Sequence, residues 1–207
     1  DSHTKRLIAL HPDGADPAID LPRPVFAVDF DVEHVRTVLR QCSNGAAPGP
    51  TGWTEELLLD AMLDEHAAAD VAALITDVAN ARIADSLRER LVQSKLGGLP
   101  KPDGGGRPIA MGEVLVKVAT RLAMDAVKDD IAALFRGSQY GVLCKAGCEK
   151  IVHACRAYLR NPPTPTPVMV TLDFANAFNV PSRSAMARAA TALPGMTTPR
   201  RSRFDIS

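Results

Sequence analysis

No apolar run in this sequence approaches the roughly 20 residues that a helix needs to cross a bilayer, and no targeting segment is visible. A membrane partner is therefore not expected. Cysteine is scarce: Cys42, Cys144, Cys148 and Cys155 have neither a secretory signal nor a paired framework around them. That absence excludes a disulfide scaffold and points to a reducing intracellular compartment, nucleus or cytoplasm. Cys144, Cys148, His153 and Cys155 cluster in sequence, but their spacing is poor for zinc. Cys148 and Cys155 lie two helical turns apart on one face, so core packing is expected of them. Internal repeats are lacking as well. So is net charge, with 24 Lys and Arg against 24 Asp and Glu, which at first sight argues against a polyanionic partner.

That balance conceals an asymmetry. Residues 1–81 hold 5 Lys and Arg against 14 Asp and Glu, whereas residues 82–207 hold 19 against 10. The halves carry −9 and +9. The basic part can bind a polyanion, while the acidic part is either a solvated face or an intramolecular partner. At 207 residues the chain can bury one sizeable core or two small ones. It begins at Asp1 without a methionine, and is expected to be a piece of something longer.

Residues 1–30 carry Pro12, Pro17, Pro22 and Pro24 among scattered aspartates and read as an irregular linker or arm. DVEHVRTVLRQC, residues 31–42, puts Val32, Val35, Val38 and Leu39 on one helical face, and stops before the Gly- and Pro-rich loop SNGAAPGPTGW. Thr54 is placed to cap the following helix, with Glu55 and Glu56 in its first turn where the helix dipole favours negative charge. Helical periodicity then continues through AADVAALITDVANARI after a short break. No Lys or Arg occurs between Arg40 and Arg82, as a solvated acidic face would have it.

The character changes at LVQSKLGGLPKPDGGGRPIA, residues 91–110. Leu96 and Leu99 before PDGGG and Ile109 after it form two short apolar arms around turn residues, which predicts a β-hairpin. Lys101 and Arg107 then stand on opposite arms near the tip, where charge and glycine N–H groups could hold a phosphate chain, or where both cations are simply solvated. Residues 113–135 predict the clearest helix, striped by Val114, Leu115, Val118, Leu122, Val127, Ile131 and Leu134. After RGSQYGV a second helix is predicted over AGCEKIVHACRAYL, with Ile151, Val152, Cys155, Tyr158 and Leu159 facing inward. Four prolines in NPPTPTP then lead into VMVTLDFANAFN.

That last stretch runs Val168, Val170 and Leu172 along one side of a predicted strand and sets Asp173 at its exit. Two readings of Asp173 stay open on the residues alone. It caps a helix, or it is a carboxylate kept ionised beside a sheet to bind a hard cation such as Mg2+.

Taken in order, NGAAPGPTGW, LPKPDGGGRPIA, SQYGV and TLDFANAF resemble the reverse transcriptases of non-LTR, LINE-type retrotransposons, over roughly residues 31–190. The resemblance implies an RNA-directed DNA polymerase using Mg2+, an RNA template, a DNA primer and dNTPs, completed by the remainder of the polymerase chain. It implies that Asp173 is the first metal-binding aspartate of the palm, with the backbone carbonyl of Phe174 beside the metal. Phe178 matches the aromatic that closes the space next to the sugar C2′, rejecting ribonucleotides by clash. Lys101 and Arg107 match the cations that fold over the incoming triphosphate. The loop from Gly45 to Trp53, with Gly49 and Gly52, looks like the segment that lies along the template, while Gln139 and Gly141 fall where fingers and palm meet template and nucleotide. Arg183 matches a helix start or a phosphate contact.

The sequence departs from that family in lacking both the second carboxylate motif and the substrate-positioning motif before it. No aromatic-Ala-Asp-Asp motif follows, and Asp205 stands alone among arginines. The 207-residue chain by itself is therefore expected not to polymerise. The expected fold is α+β: residues 31–110 as helical fingers with a β-hairpin, residues 111–190 as the end of the fingers and the first strand and helix of an incomplete right-hand polymerase palm, and residues 191–207 as an irregular basic tail. A second reading is a non-catalytic RNA- or DNA-binding remnant of a retroelement that uses the basic half to hold a nucleic acid backbone.

Overall fold

The computed structural model describes residues 5, 9, 27–100, 102, 106–174, 177 and 180–192. The chain divides into two compact units, one of Asp1–Thr120 with Ala175–Ser207 and the other of Arg121–Phe174.

In the first unit three helices are started by side chains that accept a backbone N–H left unpaired by the first turn. α1, Val32–Arg40, has Asp31 bonded to the His34 N–H at 2.8 Å. α2, Glu55–Ala61, has Thr54 bonded to the Leu57 N–H at 3.3 Å, as its sequence predicts. α3, Glu65–Ala79, has Asp64 bonded to the Ala67 N–H at 2.9 Å, so the short break in periodicity lies between Ala61 and Glu65. The apolar faces of α1, α2 and α3 pack together and bury Val35, Val38, Leu39, Leu58, Met62 and Ile75.

Arg36 ties the three helices at the rim. Its guanidinium donates to Glu33 at 2.9 Å, to the Met62 carbonyl at 2.7 Å and to Glu65 at 3.0 Å. Hydrogen bonds to Glu33 and then Glu65 raise its already high pKa further, so the charge is permanent. The acidic half is thus both things its composition allowed. Asp60, Asp64 and Asp70 are exposed, while Glu65 and Asp77 pair with Arg36 and Arg82.

The end of the proposed N-terminal linker is not loose. Asn80 accepts from the Val28 N–H at 2.8 Å and donates to the Val28 carbonyl at 2.7 Å, Thr76 accepts from the Phe30 N–H at 3.2 Å, and Phe30 is buried. An amide side chain offers both an acceptor and donors, so Asn80 meets the N–H and the C=O of one backbone residue and gives its other N–H to the Thr76 carbonyl at 2.7 Å. α4, Asp85–Leu91, was not legible in the periodicity; it has no side-chain cap, and buries Leu91.

The predicted hairpin forms. β1, Ser94–Pro100, pairs antiparallel with β2, Gly106–Gly112, in the register Lys95↔Met111, Gly97↔Ile109 and Leu99↔Arg107. Side chains alternate along each strand, so these three pairs share one face. Its arms are not buried: Leu96, Leu99 and Ile109 all remain exposed. α5, Val114–Leu134, follows at once and continues into the second unit; Val114, Val118, Ala119 and Leu122 are buried, whereas Val127 and Leu134 further along the stripe are exposed.

The second unit contains the rest of α5 and α6, Gly147–Arg160. α6 enters through Ala146, whose φ of +56° is left-handed, and a Cβ on Gly147 would collide with the backbone carbonyl of Tyr140. Only glycine fits there. Two expectations are corrected in this unit. Ile151, Val152 and Leu159 do not face inward; each is about half exposed, and Cys148 is exposed too rather than packed in a core. Nor do residues 168–172 form a strand. They run outside any ladder, with Val168, Val170 and Leu172 each more than 70% exposed. A strand exists only through a partner's N–H and C=O groups, and the sheet among the described residues has two members, β1 and β2. α7, Arg183–Ala192, completes the described chain; Ser182 Oγ accepts from the Ala185 N–H at 3.2 Å at its start.

Candidate nucleic-acid interface

The loop between α1 and α2 is held at both ends by carboxylates. At its start Glu56 accepts from the Gly45 N–H at 2.6 Å, and this bond, with the Glu56 N–H and the Thr54 hydroxyl, holds the Glu56 pKa below the ordinary carboxylate value. Gly45 itself has a φ of +75°, which suits glycine. At its end Gly49 to Gly52 make a tight turn closed by the Gly52 N–H on the Gly49 carbonyl at 3.2 Å, with Pro50 inside it.

The second carboxylate comes from far along the chain. Glu113 follows β2 and precedes α5, and it is only 2% exposed. One oxygen accepts from the Thr51 N–H at 2.8 Å and the other from the Thr51 hydroxyl at 2.5 Å. A buried carboxylate is costly unless hydrogen-bonded, and here one threonine supplies a donor to each oxygen. Gly49 makes the approach feasible. A Cβ there would lie 2.9 Å from the Glu113 carboxyl and 2.9 Å from the Gly112 carbonyl carbon, too close to either. The loop is therefore pinned against the base of the hairpin.

Within that frame the residues expected from sequence separate into groups. Gly49 and Gly52 belong to the pinned turn, and Gly52 needs its glycine for a φ of +87°. Arg107 is exposed on β2 opposite Leu99, on the same hairpin face as Lys95. Lys101 and Phe178 lie outside the described residues. In the second unit Gln139 folds back on its own turn, its side-chain oxygen accepting from the Gly141 N–H at 2.5 Å. Asp173 and Phe174 are exposed outside any helix or strand, and the hydroxyl at the start of α7 is that of Ser182. Among the described residues no three His, Cys, Asp or Glu side chains converge as a metal site would need. Asp173 contributes a single exposed carboxylate.

Sequence reasoning missed Glu113 altogether. It sits 62 positions from Thr51, and nothing in local periodicity links them. The one available signal was a Glu wedged between a hairpin and an apolar helix, where a charge has little reason to be unless it is bonded.

Among the described residues no helix is long and apolar enough to cross a membrane. No family model and no solved structure matches the chain. Over 163 residues, 78% of its length, it is 34% identical to the Retrotransposable element SLACS 132 kDa protein of Trypanosoma brucei gambiense. The chain spans only 13% of that much longer protein. A likeness over that share of this chain supports a retroelement-derived protein.

Proposed function

We propose that the chain is the fingers and the beginning of the palm of a non-LTR retrotransposon reverse transcriptase, and that its first unit holds the RNA template. The observation that carries the reading is the Glu113 clasp, through which NGAAPGPTGW meets the base of the LPKPDGGGRPIA hairpin although the two motifs are far apart in sequence. A pinned, uncharged loop can meet the bases of a strand, while cations of the basic half such as Lys95 meet its phosphates. In the complete enzyme Lys101 and Arg107 would grip the triphosphate of a dNTP, Phe178 would select the deoxyribose, and Gln139 and Gly141 would lie near template and nucleotide. Asp173 and the Phe174 carbonyl would form part of a Mg2+ site whose other ligands the described residues do not supply, so no catalytic step is assigned to this chain. The DNA primer is likewise a partner of the complete enzyme.

RNA binding across a salt series tests the reading. Phosphate contacts by the basic half predict affinity that falls steeply with salt, and Lys95→Ala should flatten that slope by about one contact. Salt-independent binding, or none, would remove it. The second reading is a non-catalytic remnant that keeps RNA binding alone, for which the +9 charge of residues 82–207 suffices. The two part on labelled dNTP incorporation over a primed RNA template by the longer reading frame. Activity lost in Asp173→Ala means a polymerase, and binding without incorporation means a remnant.

A further inference from the structure

We propose that Trp53 is a stacking surface for an unpaired nucleobase, and that Glu113, which touches no ligand, is the residue that positions it; the inference rests on the nucleic-acid-binding reading above. Trp53 is the single tryptophan of the chain and 45% exposed. Isolated exposed apolar side chains are ordinary, so exposure alone says little. What distinguishes this indole is its backbone. Thr51, two residues before it, is held by both oxygens of the buried Glu113, and Thr54, immediately after it, is fixed as the N-cap of α2 through the Leu57 N–H. A ring mounted between two anchored residues loses little further freedom when a ligand lands on it.

The charge pattern selects the kind of ligand. Residues 43–53, SNGAAPGPTGW, contain no charged side chain, so the loop offers nothing to grip a phosphate. The nearby carboxylates are turned to the backbone or buried: Glu56 bonds the Gly45 N–H, Glu113 bonds Thr51, and Glu55 is only 7% exposed. An uncharged, rigid loop carrying a partly exposed indole suits the π-face of a base, which every base offers regardless of sequence. Glu113 sets where that indole stands, because releasing Thr51 frees the turn that leads into it.

The test uses the 207-residue chain and a short unstructured oligoadenylate, with Trp53 emission as a direct probe because no other indole contributes. Saturable quenching is expected on titration. Trp53→Ala should weaken binding roughly tenfold and Trp53→Phe should restore most of it, with the salt slope unchanged in both because phosphate contacts are untouched. Glu113→Gln should speed amide exchange in the Gly49–Gly52 turn and weaken binding several-fold, but cause no further loss when added to Trp53→Ala. Should Glu113→Gln fail to fold, Thr51→Val removes the hydroxyl contact and serves in the same cycle. Tight binding with unchanged emission and no effect of Trp53→Ala would overturn the inference while leaving RNA binding intact. Equal losses from Glu113→Gln with and without Trp53 would show that Glu113 does not act through it. If the wild-type chain binds no oligonucleotide at all, the inference falls together with the reading it rests on.

Discussion

α1 and α6 carry similar patterns and meet different fates. Both are amphipathic, with apolar residues recurring at helical spacing, yet α1 buries Val35, Val38 and Leu39 whereas α6 leaves Ile151, Val152 and Leu159 about half exposed. The difference lies in what each packs against. α1 finds α2 and α3 within the next forty residues, all three started by side-chain caps and tied at the rim by Arg36. α6 is followed by four prolines and a segment that, among the described residues, has no ladder partner. Periodicity states which face wants cover; it does not state that cover exists.

The contrast breaks most visibly by truncating side chains. Ile75→Ala, at a fully buried position of α3, should cost about 2–5 kcal/mol in urea unfolding, while Ile151→Ala on α6 should cost less than about 0.5 kcal/mol. Comparable losses at the two sites would mean that α6 is covered. Gly49→Ala comes next. A methyl pressed against Glu113 and the Gly112 backbone should destabilise by about 1–3 kcal/mol and loosen the loop in amide exchange, whereas an alanine tolerated there would place the loop elsewhere. Asp64→Ala should cost about 1 kcal/mol as a lost N-cap, measurable as a lowered urea midpoint with unchanged slope. The smallest effect concerns pH. Because the folded state holds the Glu56 pKa down, its bond to the Gly45 N–H contributes above the ordinary carboxylate range and is lost as pH falls through the depressed value. Protection of the Gly45 amide, corrected for the intrinsic exchange rate, should therefore decline in acid, and Glu56→Gln should abolish that decline.

Local chemistry was the readable part of this sequence. The Thr54 cap, the hairpin around PDGGG and the helix beginning near Glu113 each follow from neighbours within a few residues, and each is found. α4 escaped because seven residues without a side-chain cap carry little periodicity, although Asp85 and Arg88 at helical spacing form an ion pair that hinted at it. The strand expected at 168–172 had the right alternation, but a strand is a property of two segments, and among the described residues nothing pairs with it. For the same reason the contact that explains the missing side chain at Gly49, the carboxyl of Glu113, was not legible locally. Charge totals revealed the opposed halves; they could not reveal that one carboxylate of the basic half is spent inside the molecule on a threonine of the acidic half.

The close approach of the Tyr140 carbonyl to Gly147 limits which substitutions the entry to α6 can accept. Since the obstacle is main chain, no neighbouring replacement can relieve it cheaply, and even alanine is refused. Any side chain at position 147 should therefore force the α6 entry to rebuild, and Gly147→Ala should lower the stability of that helix.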